Sequence, residues 1–523
     1  MRRAKPPLDR DRLNALGCNQ RIALGFRAFT HCNSLVARDP RAALRTGAGF
    51  VARLVIVSNR VAVPEEGGKA VAAGGLAVAV KEAFTAYEGL WFGWSGNVVE
   101  NPSTEPTLID RGRVQYAVVD LSPQDHREYY SGFANRALWP IMHYRLGLGA
   151  FSRSDYAGYQ RVNRTFARAL ADLIQPDDII WVHDYHLLPL ASELRGLGIA
   201  NPIGYFHHIP WPAADVFNTL PASNDLLRGI ADYDLIGLQT DPDVHNLTRN
   251  LIDELRAIPL GGGSLMVDGR RTRIRSFPIG IDVAGFKEAA ENAGSNRTVR
   301  ETMAGLRTRK LLIGVDRLDY SKGVPERMEA VERFFASNPD QRGNVVYLQI
   351  TPKSRTEVPE YEELSREVNE TVGEINGALG EPNWTPIQYV TKPYPRPVLA
   401  GLYRAARVGL VTPMRDGMNL VAKEYVVAQS DEDPGVLVLS KFAGAARQLP
   451  EAILVNPYDR FEVAEAIRTA LYMPRGERLE RWKPMVERMT REDVDWWARN
   501  FMTDLENFRT VEREPPRTAA AAE

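Results

Sequence analysis

Cysteine is nearly absent: Cys18 and Cys32 are the only two in 523 residues. Beyond them the chain has no thiol for nucleophilic catalysis, a disulfide or a metal, which fits a reducing, cytoplasmic setting. Long apolar runs are missing too. None approaches the roughly 20 residues of a membrane span, so no membrane partner is expected. Net charge is almost nil but unevenly placed: residues 1–53 hold eleven Lys or Arg, three Asp and no Glu, a net +8 that leaves −9 for residues 54–523. A mildly acidic body makes nucleic acid a poor partner. The basic segment lacks the serine enrichment of a transit peptide and the clear apolar stretch of a secretory signal, so residues 1–52 read as a flexible extension. The closing "EREPPRTAAAAE" reads as a disordered tail over 509–523. No short solenoid repeat is present.

What is present is a strand–helix alternation. "RLVIVSNRV" (53–61), "VQYAVVDL" (114–121), "DDIIWVHD" (177–184), "PIGYFHHI" (202–209) and "YDLIGLQT" (233–240) are short apolar runs rich in β-branched and aromatic residues. Amphipathic stretches such as "GLAVAVKEAFTAY" (75–87) and "HLLPLASELRGLG" (186–198) lie between them. A second series starts at "KLLIGVDRLD" (310–319) and continues through "NVVYLQIT", "IQYVTKP", "ARVGLVTP", "GVLVLS" and "AILVNP". Two consecutive α/β series predict two Rossmann-like, doubly wound domains facing a cleft. The expected division is 53–281 for an N-terminal domain and 282–490 for a C-terminal one, with "SFPIGIDVAGF" as the crossing.

Four constellations carry chemistry. In "VGLVTPMRDGMNLVAKEY" (408–425) an apolar run enters a turn holding Asp416 and Gly417, then a helix with Asn419 and Leu420 at its start and Glu424 further in. The free N–H groups of such a helix start suit a diphosphate, while a carboxylate deeper in the helix suits neutral hydroxyls. A nucleotide sugar has both parts. In "GVDRLDYSKG", Arg317 and Lys322 follow a strand end and are placed to neutralise a departing diphosphate; the plain alternative is two surface cations. "VAAGGLAVAV" puts Gly74 and Gly75 before a helix, either a close approach to phosphate or sugar oxygen or a simple tight turn. The G-x-G-x-x-G dinucleotide fingerprint is missing, which argues against an NAD-dependent dehydrogenase.

The last constellation is rich in histidine and aromatics. His183, Asp184 and His186 in "WVHDYHLLP", and His207 and His208 in "GYFHHIPWP", sit at expected strand ends, where they can hydrogen-bond sugar hydroxyls or ligate a metal. Strand neighbours face opposite sides, so one of His207 and His208 must turn away. Trp91, Trp94, Tyr130 and Trp139 are either core or a cover for sugar faces and phosphate. The "DPD" at 241–243 formally matches a metal-binding Asp-x-Asp, but its context predicts a helix cap.

Taken in order, "SNRV", "AGGLA", "LWFGWSG", "ALWPIMHYR", "WVHDYHLLPL", "HHIPWP", "DRLDYSKG" and "RDGMNLVAKEY" resemble the trehalose-6-phosphate synthase family over about residues 53–508. The family is one of retaining glycosyltransferases with two Rossmann-like domains, the GT-B arrangement. The resemblance implies glucose transfer from UDP-glucose to glucose 6-phosphate, giving trehalose 6-phosphate and UDP, by a front-face substitution without a covalent intermediate. It implies that Arg317 and Lys322 hold the diphosphate and Glu424 the ribose. Asp416, Asn419, Leu420 and Gly75 then meet the donor, with His208 near the donor sugar and Asp184 near the acceptor. Arg60, Tyr130, Trp139 and Arg355 are implied for the acceptor phosphate. The catalytic set is thus Arg317, Lys322, His208 and Asp184, with no cofactor beyond the nucleotide-sugar substrate and no metal. A helix over 491–508 is expected to return to the N-terminal domain. The basic extension, the His-His pair and "IPWP" depart from the family pattern. ADP- or GDP-glucose as donor, glycerol 3-phosphate as acceptor, a non-catalytic sugar-phosphate sensor and a homo-oligomer all stay open on sequence.

Overall fold

The structure, a computed structural model, describes residues 53–64, 88–355 and 358–513, with side chains through 508. The expectations for residues 1–52, for the helix and glycine turn at 74–87, and for the tail beyond 513 fall outside the described residues.

Two sheets organise the rest. The first has ten strands, and its centre is a parallel block: Val114–Leu121, Gly89–Val98, Leu54–Arg60, Ile179–His183, Ile203–Phe206, Leu235–Leu238 and Arg270–Ser276, in that spatial order. Leu54 to Ser58 and Ile179 to His183 are buried at every position, because helices cover both faces and a strand buried on both sides needs no polar alternation. Antiparallel strands extend both edges, Thr107–Arg111 at one and the hairpin Ile258–Gly261 with Ser264–Val267 at the other. The second sheet has six strands, all parallel, ordered Ile387–Val390, Val345–Ile350, Lys310–Val315, Val408–Val411, Val436–Ser440, Ile453–Val455.

Each sheet reverses its winding once. In the first, the reversal falls between Leu54–Arg60 and Ile179–His183; in the second, between Lys310–Val315 and Val408–Val411. Helices there leave to opposite faces and the strand ends open a crevice, which is where doubly wound sheets bind ligands.

The chain passes from one sheet to the other through Phe277–Asp282 and comes back at Glu492–Val494. These two crossings touch: a Cβ on Gly280 would meet the Asp493 carbonyl carbon at 2.2 Å, and Val494 N donates to Ile281 O at 3.2 Å. The buried Lys423 ammonium ties them to the second sheet, donating to Ile279 O at 2.5 Å and to Gln448 Oε1 at 2.6 Å, while Gln448 donates to Glu492. Burial lowers the Lys423 pKa to about 7, with Glu492 acting the other way. The last helix, Val494–Arg513, then lies on the first sheet. Phe501 stacks on Trp181 at 4.6 Å, over Gly204 and Gly237, where any Cβ would come within 2.8 Å of its ring. No described helix is long and apolar enough to cross a membrane.

One local expectation changed, and two motifs took forms that the sequence reading had not assigned. "GLWFGWSG" is part of a ten-residue strand, Gly89–Val98, and "EYYSGFANRAL" belongs to an unusually wide helix, His126–Leu138, of the π type. The stretch 186–198 is a short turn, Tyr185–Leu187, and then a helix, Leu190–Gly196, since Pro189 cannot supply the N–H that a continuous helix needs.

Candidate active site

The first sheet contributes Asp184 and His208. Asp184 follows strand Ile179–His183 and sits at φ 77°, a left-handed backbone that costs a non-glycine residue on the order of 1 kcal/mol or more. What holds it there is visible: its N–H donates to Phe206 O at 2.8 Å, and its Oδ1 accepts from His208 N at 3.2 Å. Burial raises its pKa to about 6, against backbone hydrogen bonds from Tyr185 and His208 and the charges of Arg355 and Arg317. Strand alternation separates the two neighbouring histidines. His207 is buried, with Nδ1 2.8 Å from Tyr205 Oη and its ring against Trp211. His208 faces the other way, with Nε2 3.1 Å from His183 Nδ1; burial holds it neutral, at about 3.

The second sheet contributes the loop after Lys310–Val315 and the turn after Val408–Val411. Arg317 is exposed and its guanidinium lies 5.9 Å from the Trp139 ring. Lys322 is engaged: its Nζ is 2.5 Å from Asp416 Oδ2, which also accepts from Asn419 Nδ2 at 3.0 Å. Asn419, at φ 78°, caps helix Leu420–Ala428 by accepting from Ala422 N at 3.2 Å. Its side chain thus serves the helix and the turn together. The helix presents Glu424 partly buried, and burial raises that carboxyl to about 7 against the charge of Arg396. Gly417 allows contact across the crevice, because a Cβ there would meet His208 O at 2.3 Å and Ile209 Cα at 2.8 Å.

Arg355 closes the remaining side. Its Nη1 donates to Asp319 Oδ2 at 2.9 Å and to Tyr361 Oη at 2.6 Å, its Nη2 to Tyr185 Oη at 3.1 Å, and its guanidinium lies 3.8 Å from the Trp139 ring. Trp139 Nε1 in turn donates to Asp319 Oδ1 at 3.3 Å. Asp319 is fully buried. Burial works to raise its pKa, yet Arg355, Arg317 and Lys322 hold it down to about 2. Toward the first sheet the rings continue from Trp139 to Tyr185, His186 and Tyr130, the last stacked on His186 at 5.9 Å. Tyr130 meets Trp94 at 5.7 Å, and Arg60 lies 5.8 Å from the Trp94 ring.

The structure therefore brings Asp184, His208, Arg317, Lys322, Asp416, Asn419, Leu420 and Glu424 to the two strand reversals. Arg60, Tyr130, Trp139 and Arg355 join along one aromatic wall. Gly75 lies outside the described residues. Trp91 is core, donating from Nε1 to Ser58 Oγ at 2.8 Å. Sequence reasoning missed Asp319, Tyr185 and Tyr361, the groups that hold Arg355; the position of Asp319 between Arg317 and Lys322 in "DRLDYSKG" was the available signal. The "DPD" acids form the first turn of helix Asp241–Leu255, but the cap is the residue before them: Thr240 Oγ1 accepts from Asp243 N, and Asp243 Oδ1 accepts from Trp211 N at 3.0 Å. Among the described residues no group of three or more His, Cys, Asp and Glu is assembled that could hold a metal ion.

The sequence pattern of "Glycosyltransferase family 20" matches residues 52–507. A trehalose-6-phosphate synthase from Sinorhizobium fredii is 54% identical over 457 residues, covering 87% of this chain and 98% of that protein. The solved structure of a UDP-forming α,α-trehalose-phosphate synthase from Burkholderia xenovorans, in complex with glucose-6-phosphate, is similar with a TM-score of 0.83 and 44% identity, over 87% of this chain and 100% of that one. An E. coli structure bound with UDP-2-fluoro glucose gives a TM-score of 0.83 and 43% identity, over 87% and 99%.

Proposed function

The chain belongs to glycosyltransferase family 20, and from that premise we propose that it transfers glucose from UDP-glucose to glucose 6-phosphate with retention of anomeric configuration. The products are α,α-trehalose 6-phosphate and UDP. One observation carries this reading: the cationic strand end and capped helix of the second sheet face Asp184 and His208 across a crevice whose wall ends in the Arg355–Trp139 pair.

Arg317, Lys322 and the N–H groups at Asn419 and Leu420 take the donor diphosphate and stabilise the charge that grows on it as the glycosidic bond breaks. The Lys322–Asp416 pair opens or reorients as the donor enters, leaving Asp416 for glucose hydroxyls and Lys322 for phosphate. Glu424 accepts hydrogen bonds from the ribose, and Gly75 supports the donor from the first domain. Asp184, with a pKa near 6, suits exchange of hydrogen bonds with an acceptor hydroxyl. With Asp184 assigned to the acceptor, Asp416 to the glucose hydroxyls, Glu424 to the ribose and Asp319 paired with Arg355, no carboxylate is left to act as a nucleophile, which favours front-face substitution. Arg60, Tyr130, Trp139 and Arg355 hold the acceptor phosphate, and closure of the crevice excludes water.

In this reading residues 53–281 form the acceptor domain, 282–490 the donor domain, and 491–508 a helix that belongs with the first. The protein works in the cytoplasm, without a metal. The test is incubation with competing UDP-, ADP- and GDP-glucose against glucose 6-phosphate and glycerol 3-phosphate, with and without chelator. Trehalose 6-phosphate and UDP should dominate, with chelator leaving most turnover. Loss of turnover that a divalent ion restores would contradict the metal-free reading, and no turnover with any pair would point to a sensor.

A further inference from the structure

The family resemblance puts His208 near the donor sugar and gives no role to His183, the last residue of strand Ile179–His183. His183 is fully buried. Trp181 and Trp497 lie against it, with ring centres 4.6 and 6.3 Å away. Its Nδ1 shares a hydrogen bond of 3.1 Å with His208 Nε2, and its own Nε2 is buried without a partner. His208 is only partly buried, and its hydrogen bond to a described residue uses the Nε2 side of the ring, so Nδ1 is the nitrogen left to meet a ligand.

Burial lowers both pKa values far below the usual range, that of His183 with help from His208. Each ring is therefore neutral and carries one N–H and one lone pair. Only two arrangements make the shared hydrogen bond. If His208 donates, His183 must carry its proton on Nε2, and that N–H is buried among indole rings with no acceptor. If His183 donates from Nδ1, what is left buried is a bare lone pair. Orphaned buried N–H groups are rarer than under-satisfied acceptors, so the second arrangement wins.

We propose that His183 is a positioning residue: it donates Nδ1–H to His208 Nε2, fixing His208 as the Nδ1–H tautomer, so that the nitrogen left for the ligand is a hydrogen-bond donor. The role in transfer rests on the assignment of His208 to the donor sugar; the tautomer does not. A hydroxyl oxygen of the sugar then accepts from His208, and the hydroxyl's own hydrogen remains for a carboxylate. The strand carrying His183 also packs beneath Trp497 and Phe501, so the last helix buttresses the ring that sets the tautomer.

The test is a long-range proton–nitrogen correlation spectrum of the full, histidine-labelled chain near neutral pH without substrate, the His208 signals being identified by their loss in His208→Gln. The expected spectrum shows His208 protonated at Nδ1 and bare at Nε2. In His183→Leu the restraint is gone: His208 should drift to the Nε2–H form that free imidazoles favour, and kcat should fall by about tenfold. His183→Asn, whose amide can donate from near the Nδ1 position, should recover both the tautomer and most of the turnover. A protonated Nε2 on His208 in the unaltered protein overturns the proposal and needs no variant to fold. So does a His183→Leu protein with unchanged tautomer and turnover. A shifted tautomer with full turnover would instead overturn the assignment of His208 to the donor sugar and leave the hydrogen bond standing.

Discussion

Glu424 shows how far a single side chain can be argued. Burial raises its carboxyl to about 7, so near neutral pH the empty site holds a mixture of protonated and ionised forms. Ribose hydroxyls donate hydrogen bonds, and the ionised carboxylate accepts them best. Binding therefore selects the ionised form and expels a proton, which makes donor affinity rise with pH toward about 7 and fall below it. Lys423, lowered to about 7 by burial, titrates in the same window, so the comparison with Glu424→Gln assigns the slope. That variant should bind UDP-glucose more weakly by about 1.5–3 kcal/mol above the transition and lose the pH dependence in titration calorimetry. A slope that survives in Glu424→Gln belongs to another group. Arg355 needs a different design, because it is buried with Asp319. Arg355→Ala leaves that carboxylate unpaired, at a cost of about 3–5 kcal/mol in stability, which mixes folding with function. The double variant Arg355→Ala, Asp319→Asn should regain most of the melting temperature. It should still lose about 2–4 kcal/mol of discrimination for glucose 6-phosphate over glucose, since a charge-assisted phosphate contact is gone in both. Recovery of that preference along with stability would make Arg355 structural.

At the scale of elements, the turn from Val411 into helix Leu420–Ala428 meets the first sheet's loop at His208 and Ile209. Gly417 presses on the His208 carbonyl, so Gly417→Ala should hold the crevice apart while leaving each sheet intact. Melting should shift little and kcat should drop by at least about tenfold, since misplacement of reacting groups by about 1 Å is that costly or more. Unchanged kcat would mean that the crevice works without this contact. The same turn was the most legible part of the sequence, because Asp416, Gly417, Asn419 and Glu424 lie within nine residues and their spacing alone signals a helix start. Strands buried on both faces were legible for a similar local reason. What escaped was non-local. Lys322 and Asp416 are 94 residues apart, and no local pattern announces that they pair. Tyr185 and Tyr361 read as ordinary core because an apolar context hides what a phenol oxygen touches. The edge strands Thr107–Arg111 and Ile258–Gly261 are exposed along most of their length, so they lack the apolar run by which the central strands are recognised.

For the whole molecule, the last helix matters beyond its size, because it lies on the first sheet after the chain has built the second. Phe501 fills the space left by Gly204 and Gly237 beside Trp181, and Phe501→Ala should cost about 3–5 kcal/mol through the cavity it leaves. Thermal unfolding should show this as a clear loss of stability; no loss would mean that the helix is loosely docked. The central claim concerns the reaction, and it is tested most directly by following UDP-glucose labelled with carbon-13 at C1, together with glucose 6-phosphate, by NMR as the purified protein acts. The account predicts that the labelled carbon passes from its α-linkage on UDP to an α-linkage in α,α-trehalose 6-phosphate, with one UDP released per disaccharide and no free glucose accumulating. A β-linked product, or UDP released with only glucose formed, would contradict it.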